Sequence, residues 1–311
     1  MRFQIRRSIN NLYQARCLDD GKDYTLRIKG KVLKTKEKEY NPVAVGDIAI
    51  GEPYSENEAM ILSIEDRKSR FTRWNVKAEL NQTIAANHDM AAIVLSSTSP
   101  PFRPRFVDRA IASSHGAEIL LIMNKCDFLL TEDEFYRWKL YHDLGYKLIA
   151  VSARTGENID ELRSMLKGKT TAFVGQSGVG KSSLINLLLG SNQLTGEVSD
   201  KYNRGCHTTN HSLFIEGDDF SLIDTPGVRE ILTPFEDASV LRDSFPEFRD
   251  LECYFSGCLH HGEQGCVVPE LVEEGEIDAD RYESYLRMLE SLLVRKPAYQ
   301  RTKGRNVKTN H

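Results

Sequence analysis

Gly175-Gln176-Ser177-Gly178-Val179-Gly180-Lys181-Ser182 is the stretch that decides the fold of this chain. It reads G-x-x-x-x-G-K-[ST], with the short apolar run 170–174 before it and the helical run Leu184-Ile185-Asn186-Leu187-Leu188-Leu189 after it. A glycine-rich turn between a buried strand and a helix is the context in which this pattern cradles phosphate. The glycines let backbone N–H groups face phosphate oxygens, and the helix N-terminus adds positive potential. In that arrangement Lys181 reaches the β and γ phosphates, Ser182 ligates Mg²⁺, and Ser183 lines the same pocket. The run therefore predicts a parallel α/β domain that binds a nucleoside triphosphate.

Further motifs narrow the nucleotide. Asn124-Lys125-Cys126-Asp127 closes the apolar run 119–123, and the Asp127 carboxylate can accept from N1–H and the exocyclic amine of guanine, a donor pair that adenine lacks. GTP and its product GDP are favoured over ATP. Ser152-Ala153, after the apolar run 146–151, can support the base from its other side. Asp224-Thr225-Pro226-Gly227 closes the run 220–223, where Asp224 would hold Mg²⁺ through water and the Gly227 N–H would meet the γ-phosphate. Gly205-Cys206-His207-Thr208-Thr209 lies between this motif and the phosphate loop. Thr209, in preference to Thr208, would complete the Mg²⁺ shell. The residue after Gly227 is Val228, where many GTPases carry a glutamine that orients the attacking water. His207 is the nearest alternative for that role, and contact of its ring with backbone or RNA is the competing reading.

The order of these motifs is itself informative. The guanine motif at 124–127 and Ser152-Ala153 precede the phosphate loop, and the motif at 224–227 comes last. This is a circular permutation, which a parallel sheet tolerates because the site needs its loops adjacent in space, whatever their chain order.

With 311 residues the chain has room for more than one domain. Alternating apolar positions in 1–68 predict a small antiparallel β unit, and the basic stretch Arg67-Lys68-Ser69-Arg70-Phe71-Thr72-Arg73 is read as the separator that follows it. Past Thr233-Pro234 a loop-rich segment holds Cys253, Cys258, His260 and Cys266. Three thiolates and an imidazole suit a closed, structural Zn²⁺ site, with His261 as the alternative to His260. A helix then carries Tyr282, Tyr285, Leu286, Leu289, Leu292 and Leu293 at helical spacing, capped by Asp278 or Asp280. The net charge of −4 excludes a uniformly basic nucleic-acid binder. The ends differ from the average: residues 1–39 hold eleven Lys/Arg against five Asp/Glu, and 295–311 hold six basic residues and no acid. Both ends are candidate surfaces for polyanions. No segment approaches the roughly 18 apolar residues that span a bilayer, so a cytoplasmic protein without membrane contact is expected.

Taken together, these pieces resemble the circularly permuted GTPases of the RsgA (YjeQ/YloQ) family. The resemblance rests on Val45-Gly46-Asp47, Ala86-Asn87-His88-Asp89, the permuted motifs, Gly205-x-His207-Thr208-Thr209, Phe245-Pro246-Glu247-Phe248 and the cysteine cluster. It implies an N-terminal OB-fold β-barrel (1–68), a central circularly permuted P-loop GTPase domain (69–232) and a C-terminal zinc-binding domain with a helix and basic tail (233–311). It further implies late maturation of the small (30S) ribosomal subunit, binding to 16S rRNA, hydrolysis stimulated by that subunit, a monomer, and a catalytic role for His207 beside Lys181 and Thr209. An RNA-binding module whose nucleotide is mainly structural is the alternative. Cys206, where relatives often carry a longer polar or basic side chain, and the acidic stretch 270–283 depart from the family pattern.

Overall fold

The computed structural model describes residues 1–9, 11–28, 39–190, 211–228, 230–234 and 236–295. It comprises two compact units, Met1–Pro234 and Phe235–His311.

The first unit begins with five strands, β1 (Arg2–Ile9), β2 (Leu12–Cys17), β3 (Asp23–Ile28), β4 (Ile48–Ser55) and β5 (Glu58–Ile64). Period-2 patterning explains them: Phe3 and Ile5, Tyr13 and Ala15, and Tyr24 and Leu26 point inward from alternate positions and form one core with Ala49 and Ile61. The strands pair in the order β1-β2-β3-β5-β4, and β4 pairs back to β1, which closes an OB-type barrel and removes its free edges. Four of these pairings are antiparallel as the patterning predicts, whereas β3 and β5 run parallel. That exception follows from the topology, because the β4–β5 hairpin lies across the barrel with β4 against β1.

The predicted separator is not a linker. Arg70–Asn75 is a strand, β6, which pairs with β7 (Leu80–Ala86) and with the short β9 (Ser114–His115). Phe71 and Thr72 are buried within it, and Arg67 just before it forms ion pairs with Asp47 and Glu39 at 2.8 Å each. Charge that looked solvated in the sequence is neutralised by residues distant in the chain. The barrel meets this sheet at Val45-Gly46-Asp47. Gly46 has φ +92°, and a Cβ there would stand 2.0 Å from the Ala86 carbonyl oxygen. Ala86 N–H donates to Val45 O at 2.9 Å, and Asn87 Nδ2 donates to Gly46 O at 3.1 Å. Glycine is therefore required at 46 by space and by backbone conformation.

The central sheet contains β8 (Met90–Ser96), β10 (Glu118–Asn124), β11 (Lys147–Val151), β12 (Thr170–Gly175), β13 (Leu213–Glu216) and β14 (Ser221–Asp224), in the order β11-β10-β8-β12-β14-β13. Every residue of β8 is buried, as expected of a central strand covered on both faces. The helices α1 (Pro104–Ala112), α2 (Glu132–Asp143), α3 (Ile159–Leu166) and α4 (Lys181–Leu189) alternate with these strands, and two apolar clusters flank the sheet. The first five strands are parallel, but β13 runs antiparallel to β14. The run 212–215 thus departs from the all-parallel expectation, because it is joined to β14 by a tight turn in which Gly217 N–H donates to Phe220 O at 2.8 Å. Through the Arg7–Leu213 pairing β13 also continues the sheet into the barrel.

In the second unit, the helix Ala279–Leu293 is capped by the Asp278 side chain, which accepts from Arg281 N–H at 2.9 Å. It buries Tyr285, Met288, Leu289 and Leu292. Leu293 lies off that face and is exposed. Phe245 and Phe248 stack at 5.5 Å and each meets Tyr285 edge-on, while Arg281 pairs with Glu247 and lies 4.7 Å from the Phe245 ring centre. Among the described residues, no helix is long and apolar enough to cross a membrane.

Candidate functional site

At the carboxyl ends of β12, β10, β11 and β14, four motifs from separate parts of the chain converge. Gly175 ends β12 where a Cβ would lie 2.7 Å from the Val94 carbonyl oxygen of the adjacent strand. The turn then runs through Gln176, Ser177, Gly178 and Val179 to Gly180, which precedes α4. Gly180 has φ +92°, and a Cβ there would stand 2.2 Å from Asn124 Nδ2. Three glycines in the turn and a helix with no acid in its first turn suit an anion. Ser182 and Ser183 are exposed on that first turn. Lys181 is buried, and its Nζ donates to Asp224 Oδ1 and to Thr225 O, each at 2.5 Å. A Cβ on Gly227 would be 3.3 Å from Ser177 Cα, so the motif at 224–227 lies against the phosphate loop. Val228 N–H donates to Gly175 O at 3.2 Å, and its side chain is part of the apolar core.

Asn124 ties three motifs together. Its Nδ2 donates to Val179 O at 2.8 Å, and its Oδ1 accepts from Ala153 N–H at 3.0 Å. Lys125, at φ +66°, extends back so that Nζ donates to Gly178 O at 3.1 Å and to Ser99 O. Asp127 Oδ1 accepts from Ser152 Oγ at 2.5 Å, and Oδ2 accepts from Arg154 Nη2 at 2.6 Å and Nε at 3.0 Å. The Ser152 hydroxyl, then the Arg154 guanidinium, hold the Asp127 carboxyl below its ordinary range. It is an ionised acceptor that already receives three N–H or O–H donors, one from Ser152 and two from Arg154. Burial and nearby Glu157 push the intervening Cys126 thiol up to about 11, so it remains protonated at neutral pH.

The sequence reading missed Arg154 and Ser99. For Arg154 the available signal was its place directly after Ser152-Ala153. For Ser99 there was none, because its part is played by the backbone carbonyl. His207 and Thr209, with Gly205, Cys206 and Thr208, lie outside the described residues, as do the basic residues of 29–38 and 296–311.

The cysteine region forms a second, separate site. One donor atom from each of Cys253, Cys258, His260 and Cys266 falls within 4.8 Å of all the others. His260 Nδ1 is 3.6 Å from Cys253 Sγ and 3.5 Å from Cys266 Sγ. Tetrahedral zinc with ordinary Zn–S and Zn–N bonds separates sulfur from nitrogen by about 3.6 Å, so this donor set fits the ion. Its three sulfurs and one nitrogen also match the softness of Zn²⁺. His260 is buried with φ +55°, whereas His261 is exposed, 3.9 Å from Glu290, and lies outside the cluster. Tyr282 Oη donates to His260 O at 2.7 Å, and Glu263 accepts from Leu259 N–H at 2.7 Å and His261 N–H at 2.6 Å, which fixes the loop. Burial pushes the Cys258 thiol up to about 12, and burial and Arg242 lower the His260 imidazole. Of the other cysteines, Cys17 and Cys126 are free thiols.

Comparison with known proteins agrees with this geometry. The model of the RsgA GTPase family matches residues 64–233. The small ribosomal subunit biogenesis GTPase RsgA of Borreliella burgdorferi (strain ZS7) is 38% identical over 298 residues, which cover 94% of this chain and 96% of that protein. The crystal structure of YjeQ from Thermotoga maritima superposes with a TM-score of 0.66 at 27% identity, covering 95% of this chain and 99% of that one. YloQ, described as a circularly permuted GTPase, gives a TM-score of 0.64 at 23% identity and 96% coverage of both chains, a likeness of fold. With its barrel, permuted P-loop domain and cysteine cluster, the chain belongs to the RsgA GTPase family, whose members hydrolyse GTP.

Proposed function

We propose that this chain is a GTPase of small ribosomal subunit biogenesis, stimulated by the 30S particle late in its maturation, and that hydrolysis of GTP to GDP and phosphate releases it from that particle. The observation that carries the reading is the Asn124 junction, which joins the guanine motif, Ser152-Ala153 and the phosphate loop within one hydrogen-bonded unit. The names of its relatives supply the ribosomal context. In this reading Asn124, Lys125, Asp127, Ser152 and Ala153 select guanine, and Gly175 through Ser183 cradle the phosphates. Lys181 moves from Asp224 and Thr225 to the β and γ phosphates, and the Gly227 N–H meets the γ-phosphate. Ser182, Thr209 and Asp224 would hold Mg²⁺, which when bound neutralises charge developing on the phosphates. His207 orients the attacking water, because Val228 is committed to the core. Zn²⁺ on Cys253, Cys258, His260 and Cys266 is structural. The barrel (1–68), the GTPase domain (69–232) and the zinc domain with its tail (233–311) present surfaces to 16S rRNA, and the protein acts as a cytoplasmic monomer.

GTP turnover measured with and without purified small subunits tests this reading. We expect slow hydrolysis alone and a large increase with subunits; equal rates would sink it. Buried Val228 also favours a second reading, an rRNA-binding module that holds nucleotide and hydrolyses little. Single-turnover kinetics on the particle-bound protein separates the two, since that module would leave GTP intact.

A further inference from the structure

The carboxylate proposed to read guanine is shared with a cation. A carboxylate offers about four lone-pair sites, two on each oxygen. Ser152 Oγ takes one on Asp127 Oδ1, and the Nε and Nη2 groups of Arg154 take both on Oδ2. At most one site on Oδ1 remains, since the backbone N–H of Asp127 also interacts with the carboxylate, yet guanine presents two donors, N1–H and its exocyclic amine. The second donor and Arg154 must compete for Oδ2. The Asp127 side chain is largely buried, while that of Arg154 is 72% exposed, so the arginine is the partner free to yield. Its guanidinium carbon also lies 5.9 Å from the ring centre of half-exposed Phe128, an aromatic face on which it can rest when one N–H is released.

We infer that Arg154 tempers guanine binding: it contests the Asp127 oxygen needed by the exocyclic amine, so nucleotide leaves faster than it would from an uncontested carboxylate. This rests on the guanine-reading role proposed for Asp127. A switch that must release its product gains from such a brake on affinity. The chemistry recognised is the exocyclic amine itself, which makes the inference separable from general effects on the loop.

Inosine nucleotides lack that amine and provide the test. Dissociation of fluorescent GDP and IDP is measured by stopped flow on the full chain and on Arg154→Ala, Arg154→Lys and Asp127→Ala. Arg154→Ala should slow GDP release by about two- to fivefold, the range an exposed ion pair spans, and leave IDP release unchanged. Arg154→Lys, which keeps the charge but offers a single point of contact, should retain most of that gain in GDP-over-IDP selectivity. Arg154→Ala releasing GDP and IDP faster alike would mean that the arginine merely supports the loop, and unchanged rates for both would mean an idle surface pair. Either result overturns the inference, as does a lysine variant indistinguishable from wild type. Asp127→Ala separates the two levels: if it leaves the GDP-to-IDP ratio as in wild type, the guanine role of Asp127 itself fails.

Discussion

In the nucleotide-binding region, residues far apart in the chain are carried to one place by a buried sheet: Asn124 contacts Val179 and Ala153 across intervals of 55 and 29 residues. In the cysteine region, Cys253 to Cys266 spans fourteen positions, and the four donors come from one loop. The first site is held by strands whose side chains fill two large apolar clusters. The second has the helix Ala279–Leu293 and the rings of Phe245, Phe248 and Tyr285 behind it, and carbonyls and amides tied to Tyr282 and Glu263. A site backed by a sheet owes its shape to the fold. A site made by a loop owes its shape to whatever joins its donors.

The largest expected effect breaks this comparison if it fails. Structural zinc supplies ~10–16 kcal/mol to small metal-bound domains, so with the proposed ion in place a strong chelator, or Cys258→Ser at a buried member of the cluster, should abolish hydrogen-exchange protection in 236–295 while GTP binding by the first unit persists. Protection that survives metal removal would show that the aromatic cluster suffices. The next effect is specific to the sheet-backed site. Gly180→Ala must hold φ near +92° and place a Cβ 2.2 Å from Asn124 Nδ2, costs on the order of 1–3 kcal/mol for the backbone alone. If that cost is met by displacing the loop from its binding geometry, GTP affinity should fall about fivefold to a hundredfold, since ~1.4 kcal/mol is a factor of ten. Gly257→Ala, in the cysteine loop with open space around it, should leave thermal stability within ~0.5 kcal/mol of wild type. A harmless Gly180→Ala would mean that Asn124 has another seat.

These two regions also differ in what their sequences disclose. The strand, glycine loop and helix around Gly175 to Ser182 were legible because phosphate binding dictates residue type at fixed spacing, and the permuted order could be read by position alone. The cysteine cluster was legible by spacing, but the choice of His260 over its neighbour is made by a backbone at φ +55° that no composition signals. Strand β6 was hidden because Arg67 precedes it and Arg70 opens it as if solvated, while Asp47 and Glu39, which neutralise Arg67, lie 20 and 28 residues earlier. The orientation of β13 was equally unreadable, since four residues carry no direction. Within the candidate site, Asn124 announced itself as part of a guanine motif, but its bond to Val179 O is a tertiary fact. Arg154 stands directly after Ser152-Ala153, but the meeting of its two N–H groups with Asp127 is likewise a tertiary fact.

Acid offers the mildest probe and distinguishes the regions by the pH at which each begins to fail. The Asp127 carboxyl is depressed, first by Ser152 and then by Arg154. A depressed carboxylate contributes in full above its ordinary pKa and is lost only as pH falls through its lowered folded value. Guanine selectivity, measured as the GDP-to-IDP affinity ratio, should therefore stay level as pH falls from 7 to about 5, above the ordinary carboxylate range. Zinc ligands must shed protons to bind, so metal affinity falls as protons compete for the three thiolates and the imidazole. Metal release, followed with a zinc-sensitive dye, should begin within the interval where guanine selectivity is still flat. If selectivity declined in step with metal release, the two sites would be coupled, and the difference between a sheet-backed site and the proposed zinc site would not be enough to explain their behaviour.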